Sequence, residues 1–567
     1  MSVSTRIIPL ALAILTFSPG AFAETYYLHP FKGDDDNSGT TQSAPWKTLK
    51  RMNKVRLKAG DRVLLAEGKK FWGSLILRNV QGEEENPVIV STWDTGDKTD
   101  DTNATINARG SLVGVHIINS SHVHVENLTI DANGGNVTDW QRRSHKNLAN
   151  KGTRGKTMLR VGVIVEADRP GTFEGITLDS LTVQNVFFHN PGLERPASET
   201  RTPNGTQEYG WGIRVFAAKK GVIRDIRIAN TIVSNVAHTG IKFTNDSGRI
   251  DGVTIKNNRI LKTGGPGMQF RRVTNASVTD NVVYKSGSDD DGRKWKRGSG
   301  MWTWGSENFV IEYNKFIGAN GPADSAGFHV DFNCRNIVFQ YNLSANNAGG
   351  FIEILGNNHN SAYRYNVSVN DGHRIKGENG AYQEGKTFWL SGFVGKDNER
   401  HGPYNSYIYN NTIYAGESVA PKAAVAKVAE GLLVMNNIFH IVGNAKLVKG
   451  DQYRPEKGGK PVEIPRTIFR NNLFLHEASW PKATLVQDED PTFGDAGFAS
   501  PGGLKVTDYI PANAALVQDK GMEIPMLPED TVGLFTGLKV THDIMGNPIT
   551  GKPDMGAIEI SQPEESK

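Results

Sequence analysis

Two acidic residues, Asp331 and Glu353, stand in short strand-like segments and are the first candidates for acid–base chemistry. Hydrolysis of a glycosidic bond usually uses two neighbouring carboxyl groups, one protonated and one ionised. Repulsion between such groups raises the pKa of one of them, which prepares a proton donor. We expect His329 to assist, and Asp324 in GPADSAG is a third acidic candidate on an approaching loop.

Basic residues in neighbouring segments allow a second chemistry, β-elimination at a uronate. Lys242, Arg271 or His329 could remove the proton next to the uronate carboxyl group, and a bound cation would neutralise that carboxylate. In that scheme Asp331 and Glu353 become metal ligands and calcium is the expected ion. In the hydrolytic scheme, which we favour, Lys242 or Arg271 orients the substrate and no cofactor is required.

The tryptophans of GMWTW predict what these residues bind. Aromatic rings suit the apolar faces of sugars, and cations suit carboxylate or sulfate groups. We therefore expect an anionic polysaccharide as the partner. A third hypothesis, a glycan-binding solenoid without catalysis, keeps the tryptophans and cations but does not need the acid pair. The predicted substrate-binding residues, with Asp324 among them, are Trp302, Trp304, Arg214, Gln269, Arg374 and Lys376.

A repeated phrase predicts the architecture that positions these side chains. A short β-rich run is followed by Asn and another apolar pair, and its alternation has the period of a strand. A coil of about 22 residues with occasional insertions indicates a parallel β-helix, in which Asn can stack at a fixed turn. The repeated residues are Asn127, Asn230, Asn258, Asn281, Asn314, Asn342, Asn366, Asn411, Asn437 and Asn472.

A second repeated strand begins with Gly and predicts two outward ladders of side chains. Inward positions are occupied by Ile213, Ile241, Met268, Met301 and Phe328. To keep Glu353 out of the core, we align Gly349 with the earlier glycines, which places Phe351 in the first ladder and Glu353 in the second; Arg374 and Lys376 then continue the two ladders. The first ladder is Arg214, Lys242, Gln269, Trp302 and His329, and the second is Phe216, Thr244, Arg271, Trp304 and Asp331.

Both ends of the chain resemble known secreted proteins. The run from YYLHPFKGDDDNSG through APWKTLKRMN to AGDRVLLAEG, and the ending KPDMGAIEI, are similar to the pectin-lyase-like superfamily. That resemblance implies a right-handed parallel β-helix and a carbohydrate-active enzyme: a lyase, a glycoside hydrolase or an epimerase. It does not choose among them, because the acidic motifs of polygalacturonases are absent.

The remaining features concern location and organisation. Residues 1–23 read as a secretory signal cleaved after Ala23, which predicts a secreted or periplasmic protein without a membrane span. A formal net charge of +4 over 567 residues argues against a nucleic-acid binder, and the single Cys334 is expected to be a small buried residue. We expect a monomer. It should be all-β, with a β-helix over residues 24–480, a helical cap around 44–57, a closing segment at 481–567, and rim loops at 140–160, 190–209, 286–297 and 378–401.

Overall fold

The computed structural model describes residues 23–96, 103–108, 111, 113–132, 161–186, 210–287, 298–448, 464–484 and 486–560. The signal segment, apart from Ala23, and most of the first three predicted rim loops lie outside the described residues. The chain winds through three parallel sheets, so that each coil adds one strand to each sheet. Neighbouring strands of a sheet are called one rung apart and lie ~4.8 Å from each other.

Sheet 1 and sheet 3 contain 14 strands each and sheet 2 contains 12. Sheet 1 comprises β1 (Thr25–Leu28), β2 (Arg62–Ala66), β5 (Val88–Trp93), β8 (Val123–Glu126), β11 (Gly171–Asp179), β14 (Gly221–Ala229), β17 (Arg249–Lys256), β20 (Val273–Thr279), β23 (Glu307–Glu312), β26 (Arg335–Gln340), β29 (His359–Arg364), β32 (Tyr404–Tyr409), β35 (Glu430–Met435) and β38 (Thr467–Arg470). Sheet 2 comprises β4 (Leu75–Arg78), β7 (Val113–Ile118), β10 (Val161–Ala167), β13 (Trp211–Ala218), β16 (Ile241–Asp246), β19 (Met268–Arg271), β22 (Met301–Trp304), β25 (Phe328–Val330), β28 (Gly350–Ile354), β31 (Lys386–Leu390), β34 (Lys422–Val425) and β37 (Lys446–Leu447). Sheet 3 comprises β3 (Lys70–Trp72), β6 (Ala104–Asn107), β9 (Leu128–Asp131), β12 (Thr182–Val186), β15 (Ile232–Val236), β18 (Arg259–Thr263), β21 (Val282–Ser286), β24 (Lys315–Ile317), β27 (Leu343–Ala345), β30 (Val367–Val369), β33 (Thr412–Ala415), β36 (Ile438–Ile441), β39 (Leu473–Phe474) and β40 (Thr492–Phe493).

The core runs through the middle of the coil and is filled by alternate residues of all three sheets. Strand alternation sends every second side chain inward, and β-branched and aromatic residues fill that space efficiently. Aromatic side chains on successive rungs stack, with the rings of Phe243 and Phe270 4.9 Å apart. The predicted inward set is confirmed, since Ile213, Ile241, Met268, Met301 and Phe328 are all at most 1% exposed.

The predicted asparagine ladder is confirmed over eight positions. Each amide nitrogen donates to the amide oxygen of the next Asn; Asn281 Nδ2, for example, lies 2.9 Å from Asn314 Oδ1. The same amide also donates to backbone carbonyls, so the turn satisfies its buried polar groups internally. The ladder begins at Asn258 and ends at Asp488, which accepts from Asn472 at 2.7 Å.

Two of the ten asparagines predicted for the ladder do not belong to it. Asn127 and Asn230 have φ of 52° and 51°, so they occupy a left-handed corner one residue earlier in the turn. In the coil of Asn230 the ladder position is held by Thr231, whose backbone N–H donates to Asn258. Asn tolerates left-handed geometry better than other side chains, and therefore the same residue type serves both positions.

The predicted N-terminal helical cap is not confirmed. Only α1 (Leu49–Met52) is helical within residues 44–57, and it is a single turn capped by the hydroxyl of Thr48. Trp46, Leu49 and Met52 are nonetheless buried against the first coil. The C-terminal segment, defined here as residues 494–560, contains only a 3-10 turn (Val506–Tyr509) and α2 (Ala514–Val517). Another 3-10 turn, Glu477–Ser479, precedes it.

Sheet 1 bends at the same place on ten consecutive rungs. At each of these positions a residue with φ between 51° and 72° interrupts the extended backbone, in the region where Gly and Asn are least strained. The bends align and give the outer face of sheet 1 a concave trough parallel to the solenoid axis. This left-handed column comprises Gly175, Asp225, Gly252, Asn275, Asn308, Asn336, Asn360, Asn405, Gly431 and Arg466.

Candidate functional site

The outer face of sheet 2 carries the candidate site, and most of its predicted register is confirmed. Strand pairing places Arg214 beside Lys242, then Gln269, then Trp302, then His329, each one rung apart. The second ladder is also confirmed from Phe216 to Trp304, and Asp331 follows directly after the end of β25.

The predicted register of the next rung is wrong. Val330 pairs with Ile354, which places Glu353 beside His329 in the first ladder rather than beside Asp331 in the second. Phe351 is not on the outer face: it is 1% exposed and lies inside the coil against Phe339 and Tyr363. Phe351 occupies the corner where earlier coils have glycine, so the strand is shifted by one residue in the direction opposite to the shift we introduced, and Glu353 stays outward.

Arg374 and Lys376 do not continue the ladders, because they lie outside the strands. The next rung is β31, inside the predicted rim loop 378–401, and its Trp389 pairs with Glu353. Lys376 is exposed. Arg374 is 7% exposed and its guanidinium donates to the carbonyls of Gly321 and Asp324 at 2.9 Å. Arg374 therefore joins two loops.

The structure separates the predicted catalytic residues into two groups. Glu353 and His329 share one register, whereas Lys242 lies four rungs and Arg271 three rungs from Glu353. These spacings correspond to ~19 Å and ~14 Å along the axis. The two basic residues therefore do not meet Glu353, although Arg271 lies only two rungs, ~10 Å, from Asp331.

The basic group is buried around Trp211. The Arg214 guanidinium carbon lies 3.9 Å, and the Lys242 ammonium nitrogen 5.1 Å, from the centre of that ring. Burial lowers the pKa of Arg214 to about 9. Burial, with the charges of Arg214 and Arg271, lowers the pKa of Lys242 well below its ordinary value. Gln269, one rung on, is 4% exposed.

The acidic group is centred on Glu353, which is 3% exposed. Burial is the largest cause that raises the pKa of its carboxyl group, to about 8, and the negative charges of Asp324 and Asp331 add to it. The positive charges of Lys386 and Arg374 act in the opposite direction. Glu353 therefore holds its proton at neutral pH. Asp324 and Asp331 are both only half-buried.

The loop that carries Asp324 is held in an unusual conformation. Asp324 and Ser325 have φ of 46° and 66°, a left-handed pair that costs on the order of 1–2 kcal/mol per residue. The Asp324 N–H donates to Gln383 Oε1 at 2.9 Å, and the Asp324 carbonyl accepts from Arg374. A side chain on Gly349 would place its Cβ 1.8 Å from the Asp324 carbonyl oxygen, so this approach requires glycine. Strain of this kind concentrates at functional sites.

His329 is fixed between this loop and the tryptophan platform. Its ring stacks on Trp302 with centroids 5.9 Å apart and planes 7° from parallel. Its Nδ1 lies 3.2 Å from the hydroxyl oxygen of Ser299, which also accepts the N–H of Ser325 at 3.1 Å. Ser299 therefore positions both the backbone of Ser325 and the ring of His329.

Trp304 begins an aromatic wall on the other side of the site. Phe332 meets it edge-on at 5.5 Å, and Phe393 meets Phe332 edge-on at 5.7 Å. The Arg271 guanidinium lies 4.7 Å from the centre of Trp304. Trp302 and Trp304 are both half-buried, so each keeps part of its ring available to a ligand.

Tyr363 supports the acidic group from inside the core. Strands β25 and β28 share a single residue pair. The Tyr363 hydroxyl oxygen links the two strands beside that pair. It lies 3.3 Å from the carbonyl oxygens of both Phe328 and Glu353. The side chain is fully buried, which raises the pKa of the phenol well above its ordinary value and keeps it a donor.

Several of these residues were missed by sequence reasoning. Tyr363 belongs to a strand of sheet 1, and nothing local reveals that its hydroxyl crosses the core. Ser299 precedes a strand glycine and reads as an ordinary turn residue. Trp389 could have been found, because Gly385 directly precedes KTFWL just as a glycine precedes the earlier strands of this sheet.

The described ranges lack two features. Within them, no helix is both long and apolar enough to cross a membrane. In the same residues, no three His, Cys, Asp or Glu side chains are grouped to hold a metal ion. Cys334 is fully buried, as predicted, and burial raises the pKa of its thiol to about 12.

Comparison with known proteins gives one family-model match and several similar proteins. Residues 211–413 match a model described as the right handed beta helix region. A lacto-N-biosidase of Bifidobacterium longum subsp. longum is 24% identical over 623 aligned positions, covering 94% of this chain and 36% of that protein. The chain thus spans little more than a third of that relative.

Solved structures also resemble the chain. A GH136 lacto-N-biosidase from Eubacterium ramulus has a TM-score of 0.49 at 19% identity, covering 75% of this chain and 67% of that one. XylC, in a complex with xylose, has a TM-score of 0.48 at 10% identity, covering 95% and 98%. From its three parallel sheets and the match over residues 211–413, the chain is a right-handed parallel β-helix protein.

Proposed function

We propose that the protein is a glycoside hydrolase whose active site is the acidic group on the outer face of sheet 2. The observation that carries the proposal is the placement of Glu353 one rung beyond β25, whose last residue is followed by Asp331. Asp324 lies close enough for its charge, like that of Asp331, to raise the pKa of Glu353. Hydrolysis of a glycosidic bond requires two carboxyl groups at the sugar, one that donates a proton and one that is ionised. The relative from Bifidobacterium longum is named as a lacto-N-biosidase, which supports a carbohydrate-degrading activity.

The exposure of the three carboxyl groups assigns their roles. Sequence reasoning pairs Asp331 with Glu353, but Glu353 is 3% exposed whereas both aspartates are half-buried and open to the outer face. We therefore assign Asp324 and Asp331 to contact with the sugar. Glu353 stands behind them as a positioning residue, and its retained proton keeps a third negative charge out of the site.

The surrounding side chains position the sugar. Trp302 and Trp304 offer apolar faces to sugar rings, and His329 lies between Trp302 and the acidic group. Arg374 acts through the backbone of Asp324 rather than on the substrate. An anionic substrate, which the sequence predicts, would have to extend from the carboxyl groups to Arg214 and Lys242. The signal predicted over residues 1–23 would place the enzyme outside the cytoplasm.

The experiment that tests this proposal identifies the products. The purified protein is incubated with neutral and anionic oligosaccharides, and both new reducing ends and unsaturated uronates are measured. If the enzyme is a hydrolase, new reducing ends should form without unsaturated products. The reducing ends should no longer form in Asp331→Asn. Unsaturated uronates that disappear with Lys242→Ala would contradict the proposal and favour a lyase. Binding of glycans without any product would favour the non-catalytic hypothesis.

A further inference from the structure

The trough on sheet 1 is partly filled by the chain itself. Over β29, β32 and β35 it holds the C-terminal segment, and Asn360 of the left-handed column donates to the Asp530 carboxylate and the Gly533 carbonyl at 2.9 and 2.8 Å. Arg364 donates to the carbonyl of Gly537 at 2.6 Å. This half of the trough therefore holds a polypeptide segment through donors on its walls.

The floor of this filled half is apolar. The outward residues of successive rungs, in one register, are Ala362, Tyr407 and Leu433, and all three are fully buried. They pack against Leu527 and Leu534 of the C-terminal segment. The part of the C-terminal segment that fills this half of the trough therefore packs on an apolar floor.

The same trough continues uncovered over β14, β17, β20 and β23, where its floor changes character. The outward residues in the same register are Arg227, Thr254, Ser277 and Val310, all half-buried. They line a groove of about 610 Å³, a size typical of small-molecule sites. Phe535 of the C-terminal segment, which is 44% exposed, forms one wall of this groove.

We propose that this open half of the trough binds a neutral oligosaccharide at a site separate from the active site. Hydroxyls and amides along the floor both donate and accept, as sugar hydroxyls do. The Phe535 ring offers a surface for an apolar sugar face. The charged residues that line the groove are Arg227, Asp225 and Glu312, so the groove has no excess of positive charge that would select an anionic ligand.

The contrast between the two halves excludes a polypeptide as the preferred occupant. A segment like residues 527–538 would place its leucines against Thr254 and Ser277. The hydroxyl groups of these two residues would then lose their hydrogen bonds to water and gain no polar partner in exchange. The groove lies on sheet 1 and the carboxyl groups on sheet 2, so this inference does not depend on the proposed reaction.

The test measures glycan binding by the full chain carrying Asp331→Asn, so that no probe is consumed. Affinity electrophoresis in gels containing soluble xylan, mixed-linkage β-glucan or galactomannan gives the retardation by each neutral probe. Ser277→Glu and, separately, Phe535→Ala should weaken binding about tenfold. Ser234→Glu, a half-buried outward serine of sheet 3, is the matched control and should bind as the parent does.

Three results would overturn the proposal. The first is the absence of retardation by any neutral probe, and the second is unchanged retardation in both trough variants. The third is retardation that disappears with Trp302→Ala but persists in Ser277→Glu, which would assign all binding to sheet 2. Hydrolysis of a soluble substrate should be unaffected by Ser277→Glu, so a failure of this proposal is distinct from a failure of the proposed reaction.

Discussion

Replacing Glu353 by Gln should make the protein more stable at neutral pH, although it removes a charged residue type from the candidate active site. The folded protein holds the pKa of this carboxyl at about 8, against 4.5 for an ordinary Glu. Between these values the folded chain keeps a proton that the unfolded chain has lost. The free energy of unfolding therefore falls as the pH rises through this window.

The size of the effect follows from the two pKa values. A difference of this size corresponds to about 5 kcal/mol when the carboxyl is ionised in both states, and about 1.4 kcal/mol is lost per pH unit within the window. The amide of Gln keeps the shape of the protonated carboxyl and does not titrate. The variant should therefore equal the wild type near pH 4.5 and exceed it by about 3 kcal/mol at pH 7.

Urea unfolding followed by tryptophan fluorescence at pH 5, 6, 7 and 8 measures this difference directly. The wild type and variant share all other titrating groups, including the buried Asp371, so their difference isolates Glu353. Glu378→Gln, on an exposed loop position, is the control and should stay within about 0.5 kcal/mol of the wild type. A difference between Glu353→Gln and wild type that does not change from pH 5 to 8 would refute the reasoning.

Three further predictions follow from contacts around the site. Tyr363→Phe should cost about 1–3 kcal/mol of stability and lower kcat more than it raises KM. Tyr407→Phe, the control, also loses a buried hydroxyl but should lower stability alone. Equal losses of kcat in the two variants would contradict this prediction. Arg374→Lys should lower kcat at least tenfold in steady-state assays, because one ammonium cannot replace the guanidinium's bonds to two loops; wild-type kcat would contradict it. Asn314→Ala should cost about 2–4 kcal/mol in urea unfolding, because it removes the oxygen that accepts the buried backbone N–H of Asn281 and one of its side-chain N–H groups. A loss below about 0.5 kcal/mol would contradict the ladder.

The sequence predicted the solenoid well because its signals are local and repeated. Asn258 through Asn472 mark one turn of successive coils, and a period of two assigns inward and outward residues within each strand. These signals were enough to place Trp302 beside His329. They failed at Phe351, where a large inward residue replaces the corner glycine and the repeat gives no register.

The candidate site was less predictable because its contacts cross between coils and sheets. The proximity of Asp324 to Glu353 depends on a loop held by Arg374, whose role as a clamp has no sequence signature. The burial that separates Glu353 from the two aspartates depends on how neighbouring coils pack. Charge type alone grouped Lys242 with the carboxyl groups, whereas the spacing of the rungs sets it ~19 Å from Glu353.

The assignment of the sugar-contacting pair is tested most directly by kcat for three isosteric variants at pH 6.5 on one soluble substrate. At this pH Glu353 is already protonated, so Glu353→Gln should retain kcat within about threefold of the wild type. Asp324→Asn and Asp331→Asn should each lower kcat by about 10²- to 10⁴-fold, because each removes a group that acts on the sugar. A loss of that size in Glu353→Gln, with activity retained in Asp324→Asn, would contradict the account and make Glu353 the proton donor.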